Sequence, residues 1–190
     1  MSSLKLNAIV QGLMQIPTDI NEHLSALAAY GSKSKHVVEI GTRTCQSAFA
    51  FASGGPKALT CVDIVRYPQV DELERLCEEC GIEFTFLLGD SHAVDIPPCD
   101  FLFIDSYHTG AQLRGELERH LGKVTGYVGF HDTETFGFVS EYPYPGIPLE
   151  RMDKKVRGLM PVIDEYIRLG RLELVSRVPY NNGLTICKTP

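Results

Sequence analysis

The sequence predicts an α/β fold built on a mostly parallel sheet, and three observations carry that prediction. Short apolar runs alternate with stretches of helical periodicity, which implies right-handed βαβ crossovers. The C-terminal end departs from this pattern: two strand-like runs flank "YNNG", a strong hairpin signal. The 190 residues are 44% hydrophobic, with no repeat, low-complexity tract or composition break, which fits one domain over 1–190 with a sizeable core.

The elements follow in order. "PTDINEHLSALAAYG" (17–31) reads as an amphipathic helix capped by Thr18 or Asp19 and stopped by Gly31, within an N-terminal helical extension over 1–35. "HVVEI" (36–40) is a strand, and "TCQSAFAFAS" (44–53) a compact helix ended by Gly54, Gly55 and Pro56. "ALTCVDI" (58–64) is the second strand, and "QVDELERLCEEC" (69–80) a surface helix that Gly81 stops. "IEFTFLL" (82–88) and "FLFID" (101–105) are the third and fourth strands, "TGAQLRGELERHLG" (109–122) a helix, and "GYVGFHD" (126–132) the fifth strand. A helix over 152–170 is predicted with a kink at Pro161, with "DKKVR" (153–157) as its solvated face. "RLELVSRVP" and "GLTICKT" then form the hairpin.

Bulk properties exclude several roles. A net charge of −6 with scattered Lys and Arg argues against nucleic-acid binding. No apolar run is long enough for a membrane span, and the N-terminus has no signal-peptide pattern, so a cytoplasmic protein without membrane attachment is expected. The six cysteines fit that expectation: Cys45, Cys61, Cys99 and Cys187 stand singly in or beside apolar stretches, and "CEEC" has no second ligand pair at metal spacing.

In open α/β sheets, ligands bind beyond the carboxyl ends of the strands, so the residues there are the candidate site. After the first strand comes "EIGTRTCQS", in which Gly41 permits a tight turn and the next helix offers free amides. This loop is not GxGxxG, which disfavours a dinucleotide and hence a nicotinamide dehydrogenase. Asp63 ends the second strand 22 positions beyond Gly41, as expected of an acid that takes ribose hydroxyls. After the third strand, "GDS" places Asp90 to accept from an adenine amino group. The fourth strand ends in Asp105 with His108 behind it, and the fifth in His131–Asp132.

Together, "VVEIGTRTCQSA", "TCVDI", "LLGDSH", "DFLFIDSYHTGAQLRGELERHL", "GYVGFHDTETFG" and "YNNGLTIC" resemble class I S-adenosylmethionine-dependent methyltransferases. Within that class the chain resembles the small family of macrolide-sugar O-methyltransferases and cephalosporin-hydroxylase-like proteins, over roughly 36–132 plus the hairpin. The resemblance implies a Rossmann-like class I methyltransferase fold: a seven-stranded sheet whose last strand is antiparallel, with helices on both faces. It also implies that S-adenosylmethionine is held by Glu39, Gly41, Thr42, Arg43, Ser47, Asp63, Ile64, Gly89, Asp90, Ser91 and Asp105. Cys45 stands where the family has glycine, which implies a narrower pocket near the methionine tail.

By position, a divalent cation, magnesium or manganese, is expected on Asp105, His131 and Asp132. His131 replaces the usual acid there and points away from magnesium, which prefers oxygen ligands. His108, with Asp105 beside it, matches the position of a base in some relatives; an imidazole of ordinary pKa suits deprotonation of an acceptor hydroxyl at neutral pH. "TETFGFVSEYPYPGIP", within the candidate substrate loop 133–150, supplies Tyr142, Tyr144 and three prolines for a lid. The expected function is O-methylation of a small sugar- or natural-product-like acceptor, by a protein that is a candidate homodimer. The rival is a non-catalytic nucleotide- or S-adenosylmethionine-binding protein that keeps the fold.

Overall fold

The computed structural model describes residues 2–154 and 157–190. Helices α1 (Ser2–Met14) and α2 (Leu24–Gly31) precede β1 (His36–Ile40), α3 (Gln46–Gly54), β2 (Ala58–Asp63), α4 (Gln69–Cys80) and β3 (Glu83–Leu88). Then follow β4 (Cys99–Ile104), α5 (Gly110–His120), β5 (Val124–His131), α6 (Met160–Arg168), β6 (Glu173–Val178) and β7 (Leu184–Lys188). The strands form one seven-stranded sheet in the order β3-β2-β1-β4-β5-β7-β6. Strands β1 to β5 pair in parallel, and β7 runs antiparallel to both β5 and β6.

Strand β4 explains why its sequence is continuously apolar. Phe101 and Phe103 enter the core shared with α1 to α4, while Leu102 and Ile104 enter the one shared with α5 and α6. Side chains alternate with a period of two, so a strand covered on both faces needs apolar residues at every position. Helix α4 has the opposite economy: Val70, Leu73, Leu76 and Cys77 are buried in a stripe, and Gly81 closes the helix with a positive φ of 73°. All six cysteines are free thiols.

Three expectations need correction. The segment 17–31 is not one helix: a 3-10 turn at Asn21–His23 precedes α2, and Thr18 Oγ1 accepts the Asn21 N–H at 3.1 Å. Pro161 does not kink a helix over 152–170; it lies in the first turn of α6, where its missing N–H has no intrahelical partner to lose. Asp153 therefore lies outside that helix, and Lys155 and Val156 of "DKKVR" lie outside the described residues. Helix α1, which no motif had marked, packs on α3 and α4. Among the described residues no helix is long and apolar enough to cross a membrane.

The strand order sets where a ligand goes. The chain builds β1, β2 and β3 outward in one direction, then places β4 on the other side of β1. The crevice at this reversal opens between the carboxyl ends of β1 and β4, where Gly41 and Asp105 meet.

Candidate active site

Gly41 has φ +88°, and a Cβ there would lie 2.0 Å from the Asp105 carbonyl oxygen. The turn therefore needs glycine on two counts. Its amide donates to the Val62 carbonyl (2.9 Å), and Asp105 N–H donates to the Ile40 carbonyl (2.9 Å), so both strand ends are pinned. Arg43 and Cys45 also have positive φ, 41° and 66°. Cys45, at the family's glycine position, is fully buried and turned into the core with α3; it lines neither cavity of the crevice and so does not narrow it.

Asp63 Oδ2 accepts the Arg43 N–H (2.8 Å) and Oδ1 the Val65 N–H (3.0 Å), tying the β1 loop to the β2 loop. Beyond it a cavity of about 620 Å³ runs along the strand ends. Gly41, Arg43, Asp63, Ile64, Gly89, Asp90, Ser91, Asp105, His108 and Asp132 line it, ten of the predicted site residues. Thr42 and Ser47 line a neighbouring cavity of about 360 Å³ that shares Gly41, Arg43 and Asp105. Glu39 and His131 line neither. Glu39 is buried beneath them, held by Ser47, Thr42 and the Cys61 thiol; burial pushes its carboxyl up to about 8, and its Oε1 has no hydrogen-bond partner.

At the other end of the cavity two carboxylates and two imidazoles converge. Asp105, His131 and Asp132 each offer one ligand atom, all within 4.8 Å of one another. His131 Nε2 lies 3.0 Å from the Asp19 carbonyl oxygen, which accepts only, so this nitrogen carries hydrogen. Its Nδ1 is thereby aimed at Asp105 Oδ1 (3.3 Å) and Asp132 Oδ2 (3.4 Å). Asp132 has φ +58°, and its Oδ1 is buried with no partner. A metal-ligating histidine commonly donates its other ring N–H to a backbone carbonyl, as Nε2 does here, leaving Nδ1 beside the two carboxylates. The donor set fits a divalent cation.

His108 faces the same carboxylates. Its Nε2 lies 3.2 Å from Asp105 Oδ1 and 3.0 Å from Asp132 Oδ2, and its ring stacks on Phe136 at 4.9 Å. Nδ1 lies 2.9 Å from Glu141 Oε2, which also accepts the His108 N–H, while Glu141 N–H donates to the His108 carbonyl. Burial opposes charge on both imidazoles, but Asp105, with Glu141 for His108 and Asp132 for both, overrides it and pushes each up to about 10. Burial likewise opposes the Asp105 charge, yet His131 and His108 hold its carboxyl well below the usual range. The expectation of an ordinary imidazole pKa at His108 is corrected accordingly.

This charge pattern sets a pH dependence. Both imidazoles bind protons more tightly folded than unfolded, so their stabilisation is complete below pH 6.5 and disappears as pH rises toward about 10. Glu39, raised from 4.5 to about 8, acts in the same direction. The ligand-free protein should melt at a lower temperature near pH ~9 than near pH ~6.5. A midpoint that holds or rises across that window contradicts the assigned protonation.

Several partners were not singled out from the sequence. Glu141 and Arg151 belong to the loop over the cavity, and Asp19 contributes a backbone oxygen. Asn181, in the hairpin turn, donates to the Thr18 carbonyl (2.7 Å) and accepts from Glu22 N–H (3.0 Å), holding the segment that presents Asp19. Glu116 of α5 is fully buried and gathers Ser91, Ser106 and Gln112 on one oxygen (2.6–2.7 Å), joining the β3 and β4 loops. In the predicted lid, Tyr144 lines the cavity against Tyr107 (centroids 5.4 Å apart), whereas Tyr142 is 90% exposed and does not.

No family model matches the chain. Among curated proteins, one from Arabidopsis thaliana named provisionally as a caffeoyl-CoA O-methyltransferase is 26% identical over 193 residues, 92% of this chain and 78% of the relative. A crystal structure from Staphylococcus aureus, given the same provisional name, superposes with a TM-score of 0.63 at 18% identity, covering 98% of this chain and 90% of that one. An O-methyltransferase from Bacillus cereus in complex with SAH superposes at 0.58 and 13% identity, covering 100% and 90%. The fold is thus the class I methyltransferase fold, and the Arabidopsis thaliana and Staphylococcus aureus proteins are named for caffeoyl-CoA rather than for macrolide sugars.

Proposed function

We propose that this chain is an S-adenosylmethionine-dependent O-methyltransferase acting on a small hydroxylated, sugar- or natural-product-like acceptor. One observation carries the reading: a single cavity joins the loops after β1, β2 and β3, suited to a nucleoside and an amino-acid tail, to an acid–histidine cluster after β4 and β5. Asp63, which lines this cavity, is read as the acceptor for the ribose hydroxyls.

The reaction is an in-line displacement. The acceptor oxygen attacks the sulfonium methyl carbon, the carbon–sulfur bond breaks, S-adenosylhomocysteine leaves, and the hydroxyl proton passes to a base. His108 serves as that base only after losing the proton that Asp105, Asp132 and Glu141 stabilise. Asp105, His131 and Asp132 would hold a divalent cation, whose positive charge would ease deprotonation of the acceptor hydroxyl. The imidazole in the set favours manganese, iron or zinc over magnesium. Tyr107 and Tyr144, in edge-to-face contact, offer an aromatic wall to the acceptor.

Titration calorimetry with S-adenosylhomocysteine tests the reading. One equivalent is expected to bind, and folded protein that gives no heat refutes it. Binding without methyl transfer to any of a panel of diols and phenols, with manganese present, would leave only the non-catalytic rival.

A further inference from the structure

The roof of the cavity carries a charged side chain turned inward. Arg151 ends a 3-10 turn at Leu149–Arg151; Leu149 faces solvent, but the Arg151 side chain is only 11% exposed. Its NH1 group donates to Asp90 Oδ1 (3.2 Å) and Gln112 Oε1 (2.7 Å), and NH2 donates to Asp90 Oδ2 (2.8 Å). Gln112 is itself fixed by Ser91 (3.0 Å) and the buried Glu116 (2.7 Å). The Arg151 carbonyl accepts from the Thr109 hydroxyl. The guanidinium is therefore held by three hydrogen bonds to two side chains, and the backbone beneath it by Thr109.

A guanidinium has five N–H donors, and these contacts use three. The Nε–H and the second NH2 hydrogen have no partner among the described residues, and Arg151 lines the cavity. Asp90 lines it too, its side chain 42% exposed, with Oδ1 also taking the His92 N–H (2.8 Å) and Oδ2 able to accept again. The wall thus presents an acceptor and a donor side by side. Adenine offers the complement on its Watson–Crick edge, an amino donor next to a ring-nitrogen acceptor. Hypoxanthine reverses both, with a carbonyl acceptor next to an N–H donor.

We propose that Arg151 and Asp90 together read the adenine edge of the cofactor, so that Arg151, held in place by Asp90 and Gln112, is a specificity-determining residue. This rests on the reading of the cavity as an S-adenosylmethionine site. An unpaired buried donor or acceptor is costly, so the pair should reject the reversed pattern strongly.

Calorimetry should compare S-adenosylhomocysteine with S-inosylhomocysteine, in which an oxo group replaces the 6-amino group. The wild type is expected to prefer the adenine form by about 100-fold or more, and Arg151→Ala to weaken it by about 10- to 100-fold while affecting the inosine form far less. Arg151→Lys, which keeps the charge but not the fork, should also lose discrimination. Thermal melts identify variants that fail to fold, and Asp90→Asn tests the acceptor half independently. Equal weakening of both ligands by folded Arg151→Ala overturns the proposal. So does unchanged or tighter binding of the adenine form, which would make Arg151 a latch that competes with the nucleoside for Asp90. Absence of wild-type binding to either ligand instead overturns the cofactor reading itself.

Discussion

Gly41→Ala should be among the most damaging single-methyl additions to this protein. The new carbon would lie 2.0 Å from the Asp105 carbonyl oxygen, 2.5 Å from its carbon and 2.9 Å from the Ser106 nitrogen, all of them backbone atoms that no rotamer change can move. The position also has φ +88°, which alanine adopts only under strain. Strain of ~1–3 kcal/mol and overpacking of ~1–3 kcal/mol add to about 2–6 kcal/mol, a large part of the ~5–15 kcal/mol that holds a typical domain together. Gly55→Ala separates the two causes. Gly55 has φ +76° but nothing within 4 Å of the built Cβ, so that substitution carries the backbone strain alone. Urea titrations should place Gly55→Ala within about 1–2 kcal/mol of the wild type and Gly41→Ala well below it, where it folds at all. Equal losses at the two positions would show that the close approach of β1 to β4 is not what demands glycine.

That contrast indicates what a sequence can and cannot reveal here. Gly41, Asp63, Asp90, Asp105 and His131–Asp132 were legible because each ends a strand, and a parallel sheet carries its strand ends to one edge. The doubly buried β4 and the stripe of α4 were legible for the same kind of reason, a period of two and one of 3.6. Arg151 and Glu141 were not, because their roles depend on how a long loop folds back over the cavity. Glu141 meets His108 across 33 positions and Arg151 meets Asp90 across 61. Asp19 was visible only as a helix cap, yet it acts through its carbonyl, an atom every residue has. The "YNNG" hairpin was read for its turn, and Asn181 does make that turn with φ +47°, but its side chain also braces the segment carrying Asp19. The turn at Asn181 is a short-range property of its sequence, whereas the partners of Asn181, Asp19, Glu141 and Arg151 depend on tertiary placement.

His108 is the residue on which catalysis, as distinct from cofactor binding, is expected to turn. Its ring is clasped by Glu141 on one side and by Asp105 and Asp132 on the other, and none of its contacts is with Asp63 or Asp90. Removing a positioned base typically costs about 10²–10⁴ in rate, so His108→Ala should lower kcat by that factor. The Kd for S-adenosylhomocysteine should stay within about threefold, since a group acting on the acceptor contributes little to cofactor binding. The same change leaves three carboxylates facing one another without their shared cation, so some loss of stability is expected as well. His108→Gln guards against that complication: its amide can still donate to the carboxylates but cannot take a proton at neutral pH. If His108→Gln folds, binds cofactor and turns over within about tenfold of the wild type, His108 is a structural cation and the base lies elsewhere. If it folds and binds but turns over hundreds of times more slowly, the imidazole's ability to exchange a proton, and not merely its place in the ion cluster, is what the reaction uses.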